Sequence, residues 1–407
     1  MMVYKILSVC FWVVLSPAIT FCQHATLFKD VRVFDGLNVL PQTNVLIEGE
    51  KITKMGHGFD VPIGTDTIDG MGKTLLPGLI DAHAHVGGNA LEDAIMAGVT
   101  TVLDMGGDSD RAIPQDGLSR ADIFWAGQSI NTNNLSNNAR PVPPATMSDT
   151  VDLRLAHGSD YINIDDVCGT TGALKRNLLA IVEATHKRGR LVVAHLTCDA
   201  RECIQAGIDG LICDPAALDS SVMRLARAHN VFVVPSLASL FWQSGGSNAE
   251  LAFDSNIRAY LPQTSANNLA RPFPGGGAAI NYSDAERSTK SLQLAHVHVL
   301  AGTDAPNPGT AFGVSMHREM ELLAKAGMTP VHALAAATGF VADAFHLGDR
   351  GHIHTGFRAD LLLVNGDPTT TITDTRSIVG VWKRGHMLDR TAYLAKCAEQ
   401  RHSTGMR

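Results

Sequence analysis

Between residues 97 and 306 the chain alternates short apolar runs with amphipathic stretches, and this alternation restricts its fold more than any other feature. AGVTTVLDMGG, ADIFWAGQ, SDYINIDDVCG, GRLVVAHLTCD, GIDGLICDP, NVFVVPSLA and HVHVLAGTDAP are runs of strand length, several ending in Gly, Asp or Pro. Between several of them lie VDLRLAHG, TGALKRNLLAIVEATHKRG, DARECIQAG and SSVMRLARAHN, in which apolar residues recur at three and four. Such periods read as strands and helices in turn. Seven or eight alternations of this length predict an α/β fold of the (β/α)8 TIM-barrel type rather than a doubly wound sheet. In a barrel the C-terminal strand ends converge, so side chains scattered through the chain meet at one face.

The chain ends follow another rule. TLFKDVRVFDG, TNVLIEGEKITKMG and KTLLPGLIDAHAH alternate β-branched with polar residues, and GHIHTGFRADLLLVNG and SIVGVWKRGHML repeat the pattern near the C-terminus. Both ends are expected to share one small sheet domain, with the barrel inserted between them. Ahead of these strands, Lys5 precedes the apolar run ILSVCFWVVL, with small or weakly polar residues around Ala18, Thr20 and Cys22. That is the layout of a secretory signal over residues 1–22, too short for a stable membrane span. The sequons at Asn134 and Asn281 fit a secreted glycoprotein. Removing the signal leaves Cys168, Cys198, Cys203, Cys213 and Cys397, an odd set that is no disulfide framework. The net charge of −7 lies on a mixed surface without long runs of one sign, which argues against a nucleic-acid partner.

Chemistry should therefore be sought at strand ends. His83 and His85 stand two apart in LIDAHAH, and residues two apart on an extended strand face the same way, so both imidazoles can address one ion. His195 ends a middle strand in VVAHLT. Asp304 ends the last apolar run in AGTDAP, where a carboxylate can bind the same ion or take a proton from its water. Each has a structural alternative, a packed histidine or a turn-capping aspartate. Together at one barrel end they point to a metal.

DGLNV, LPGLIDAHAH, AGVTTVLDMGG, AGTDAP, HREMELLAKAGMTPVHALAAATG and GHIHTGFRADLLLVNGDP, with VWKRGHML after them, resemble the amidohydrolase superfamily in its imidazolonepropionase-like and Xaa-Pro-dipeptidase-like branch. The resemblance runs from about residue 25 to 390 in the family's order. It implies a metal-bearing barrel over 77–350, flanked by a small β-sandwich built from 23–76 and 351–390, with 391–407 as a C-terminal tail. It also implies His83 and His85 as first-strand ligands, His195 as the fifth-strand histidine, and Asp304 as the eighth-strand aspartate that binds metal and shuttles the proton. Relatives with two metals carry a carboxylated lysine on the fourth strand, where YINIDDVCGT places Asn163. Where relatives have a sixth-strand histidine, GLICDP places Cys213.

These departures set the expected chemistry. A neutral amide cannot bridge two dications, so one divalent ion is expected, most simply zinc for three imidazoles and a carboxylate. Cys213 is either a thiolate ligand or a buried inert cysteine. Asp165 and Asp214 are possible replacement carboxylates or turn caps, and Asn163, Tyr161, Asp165, Asp166 and Asp214 are candidates to touch a small-molecule substrate. The leading function is a metal-dependent hydrolase of an amide, lactam or dipeptide-like bond, with Asp304 and His195 as the catalytic residues. The alternatives are a single-metal decarboxylase, lyase or isomerase, and a metal-free homologue that binds a ligand without turnover. The resemblance further implies a homodimer or larger homo-oligomer.

Overall fold

A computed structural model describes residues 25–106, 117–131, 144–165, 172–195, 200–274 and 280–403. The expected signal over 1–22 lies outside them, as do Asn134, Asp166, Cys168 and Cys198. Among the described residues no helix is long and apolar enough to cross a membrane.

Seven barrel strands follow one another in parallel: Leu79–Ala84, Val99–Asp104, Asp122–Trp125, Ile162–Asp165, Val192–His195, Gly210–Ile212 and Phe232–Val234. The first two are buried at every position, as parallel strands covered on both faces must be. Their ladders fall into two sheets, one of the first three strands and one of the last four with the short strand Ile130–Asn131. The backbone N–H of Asp160 donates to the Trp125 carbonyl between these sheets. The eighth unit, around 297–301, forms no regular strand. Val299 bridges Val233, and Ala82 N–H donates to the Ala301 carbonyl, which returns the distorted barrel to its first strand.

Ile80, Leu103, Val193, Phe232 and Leu300 fill the barrel interior around Phe345. Tyr161 belongs to this filling. Its ring meets Phe345 edge-on at 5.3 Å, and its hydroxyl donates to the Asp104 carbonyl at 2.7 Å. The expectation that Tyr161 touches substrate is corrected here, because ring and hydroxyl are both committed to the core.

The chain ends meet in an eight-stranded mixed sheet. Leu361–Asn365 pairs antiparallel with Lys73–Pro77, which in turn lies beside the long first strand, Ala25–Phe34. This sheet has its own core, where Phe28 meets Trp382 at 4.8 Å. A buried ion network joins it to the barrel. Lys383, 1% exposed, reaches Asp122 on the third barrel strand at 3.0 Å and Asp360 at 3.1 Å, and Arg358 pairs with both carboxylates. The segment expected to trail from residue 391 is instead a helix, Thr391–Ser403, docked through buried Tyr393 and Cys397. Tyr393 donates its hydroxyl to Asp93 at 2.8 Å.

Candidate metal centre

His83 and His85 emerge at the C-terminal end of the first strand, His195 closes the fifth, and Asp304 follows the eighth unit. Close approach of these elements requires Gly302: a Cβ there would lie 2.7 Å from the Cβ of His83 and 2.6 Å from Val234. The next turn puts Asp304 in the left-handed region at φ 60°, which aspartate tolerates better than most side chains. Its N–H donates to the His83 carbonyl at 2.7 Å.

The four side chains converge. Asp304 Oδ1 lies 3.2 Å from Nε2 of both His83 and His85, and His195 Nε2 lies 3.1 Å from His83 Nε2. Donor atoms of the three histidines all fall within 4.8 Å of one another. A carbonyl can only accept, so His85 Nδ1 donates to the Gly106 oxygen at 2.9 Å, which leaves Nε2 of the neutral ring bare. We assign His83 the same tautomer, with Nδ1 donating to Ser236 Oγ at 2.7 Å. Bare nitrogens crowded against one another and against a carboxylate repel unless a proton or a cation lies among them. Separations of 3.1 and 3.2 Å fit a tetrahedral ion with bonds of about 2.1 Å, whose donors stand about 3.4 Å apart.

The electrostatics make the same demand. Burial pushes His83 down to about 3 and also lowers His195. Burial opposes charge on His85 too, yet Asp304 and the Gly106 carbonyl outweigh it and push that ring up to about 9. Asp304 is held well below the usual carboxylate range, because His83 and His85 overcome its own burial. Without an ion, a proton on His85 supplies the positive charge. The residues present therefore fit a divalent cation.

A model of the amidohydrolase family matches residues 74–388. The chain belongs to the amidohydrolase family. It is 25% identical over 365 residues to an imidazolonepropionase of Cereibacter sphaeroides, covering 81% of this chain and 90% of that one. Among solved structures it resembles a Xaa-Pro dipeptidase with methionine bound in its active site, at 22% identity and a TM-score of 0.72, covering 90% of this chain and all of the other. A prolidase complexed with N-methylphosphonate-L-proline is similar at 21% identity and a TM-score of 0.69, again over 90% of this chain and all of the other.

In this amidohydrolase a cavity of about 480 Å³ opens over the histidines and Asp304. Asp165, Asp214 and Cys213 line it as well. Asp165 Oδ1 stands 3.4 Å from His195 Nδ1, and Ser129 donates to its other oxygen. Asp214 accepts from Ala216 N–H at 2.8 Å and caps the short turn Pro215–Ala217. Asn163 is absent from the cavity wall, a correction to its expected contact with substrate. Its amide donates to the Met105 carbonyl at 2.6 Å and lies 3.3 Å from His195 Nδ1, one layer behind the ligand face. Cys213 stands outside the histidine cluster, and burial pushes its thiol up to about 12.

The sequence reading missed three supports. Ser236, at φ 51°, contacts His83 across 153 residues. Ser239 donates to Asp304 Oδ2 at 2.9 Å and accepts from Gln243 Nε2 at 3.1 Å. Glu319 accepts the N–H groups of Leu237 and Ala238 at 2.9 and 2.7 Å, which anchors the helix Leu237–Gln243 that carries Ser239. The run PSLASL has only one sign of this role, a proline and two serines at a strand end.

Proposed function

We propose that this amidohydrolase holds one divalent ion, most simply zinc, on His83, His85, His195 and Asp304, and that it hydrolyses an amide, lactam or dipeptide-like C–N bond. The observation that carries the reading is the convergence of three imidazoles and a carboxylate at the floor of one cavity. When bound, such an ion polarises a carbonyl oxygen and brings the pKa of water toward neutrality. Asp304 accepts the proton of the attacking water at its carboxylate and passes it to the leaving nitrogen, so that the amine departs neutral. Ser239, bonded to Oδ2, holds that carboxylate in one rotamer while Oδ1 faces the histidines. His195 is oriented by Asp165 and Asn163.

The names of two similar structures support the bond type: a Xaa-Pro dipeptidase and a prolidase cleave a peptide bond. One ion rather than two follows from Asn163, whose neutral amide brings no charge to offset a second dication. Elemental analysis of purified full-length protein should return one equivalent of metal, and turnover of a dipeptide and lactam panel should stop on chelation and return with zinc. Asp304→Asn should lower kcat by about a hundredfold or more. Two equivalents would sink the single-ion assignment, and a chain free of metal, or undiminished turnover in Asp304→Asn, would sink the mechanism.

A further inference from the structure

Apart from the histidines and Asp304, the charged groups of the cavity wall are Asp165 and Asp214, and no Lys or Arg lines it among the described residues. The rest of the wall is largely apolar, with Ile212, Val234, Pro235 and Leu240. On the single-ion reading, a dication, three neutral imidazoles and the Asp304 carboxylate sum to one positive charge. Among the described residues, Asp165 and Asp214 then bring that sum to one negative charge. Their positions differ. Asp165 spends its oxygens on Ser129, Asn163 and His195. Asp214 spends one oxygen on the Ala216 N–H and makes no ion pair among the described residues. At the wall of a pocket open to solvent, a carboxylate without an ion pair attracts a cation across the pocket, and added salt screens that attraction.

We infer that this pocket selects substrates carrying an ammonium or other cationic group beside an apolar side chain and disfavours those carrying a carboxylate, with Asp214 as the residue that decides. The inference rests on the proposed single-metal hydrolase, but its test reads binding rather than turnover. The metal-loaded full chain is titrated by calorimetry with three leucinamides that differ only at the α-nitrogen: trimethylated, acetylated and succinylated. The trimethylated probe is permanently cationic and its nitrogen cannot ligate a metal, the acetylated probe is neutral, and the succinylated probe is anionic. The cation should bind about tenfold more tightly than the neutral probe, with the anion weakest, and the gap should shrink as salt is added. In Asp214→Asn the cationic and neutral probes should come within about twofold of each other, with one equivalent of metal retained.

Several results would overturn the inference: the succinylated probe binding tightest, an order unmoved by Asp214→Asn, no binding of the cation at millimolar concentration, or loss of metal in that variant. The last would place Asp214 among the metal ligands. Failure of hydrolysis with the binding order intact would defeat the proposed function and leave the charge preference standing.

Discussion

A histidine donates to a metal only through a ring nitrogen that carries no proton, so whatever sits on the other nitrogen decides whether it serves as a ligand. His85 has a carbonyl there and His83 a hydroxyl. Ser236→Ala removes that partner without touching a ligand and should weaken metal binding about 10- to 100-fold, read by competition with a chromogenic chelator. Cys213→Ser is the contrasting change. Cys213 stands outside the three-histidine cluster, so on the proposed assignment this variant should keep its metal and its affinity. Loss of metal there would make Cys213 a ligand. The contrast also shows what was legible. His83 and His85 announce themselves because a two-residue spacing on a strand end has one geometric meaning. Ser236 announces nothing, since a serine after the seventh strand meets the first strand's histidine only once the barrel has closed through its eighth unit.

At the scale of elements, the helix Val314–Lys325 does more than cover the barrel. Glu319 reaches inward to the 237–243 helix, while His317 is fully buried between the Ala97 carbonyl and Thr375 Oγ, each at 3.0 Å. Burial pushes His317 down to about 4 from its ordinary 6.5. Above 6.5 the ring is neutral in folded and unfolded chain alike, and its contribution is intact. As pH falls toward 4 only the unfolded chain takes the proton, and stability is lost. Wild type should therefore lose on the order of 3 kcal/mol more than His317→Gln between pH 7 and 4, measured by urea unfolding at both values. Equal losses would mean that the ring is solvated. The helices here were readable because their apolar residues recur at three and four. The eighth strand was less so: HVHVLAG has a strand's composition, but its backbone bonds leave it an irregular segment held by single bridges. Between Phe241 and Tyr282, Trp242, Leu251, Ile257, Tyr260 and Leu269 are buried, yet apolar residues spaced through turns carry no period to mark them as core.

Across the whole molecule, an ion tied to the first, fifth and eighth units would staple the barrel shut. A ligand that binds only the folded state at a thousand times its Kd adds about 4 kcal/mol. Stripping the metal should thus lower the calorimetric Tm by several degrees, and zinc should restore it; an unchanged Tm would mean that no resident ion holds these strands. That the ends share one sheet was legible from their repeated alternation. The ion network of Asp122, Lys383, Arg358 and Asp360 was not, since charges spread over 260 positions have no common motif. The span of these contacts also orders events in time. His85 and Asp304 are 219 residues apart, and Lys73–Pro77 finds its neighbour only at Leu361–Asn365. While the chain is still being synthesised, the first histidines therefore leave the ribosome long before the carboxylate that faces them exists. Before residue 195 is made, a nascent chain can offer an ion only His83 and His85, and that weak pair gives it up readily. With the four proposed ligands, durable capture would wait until translation has passed residue 304, and metal retention would then be a timestamp on a chain late in its synthesis.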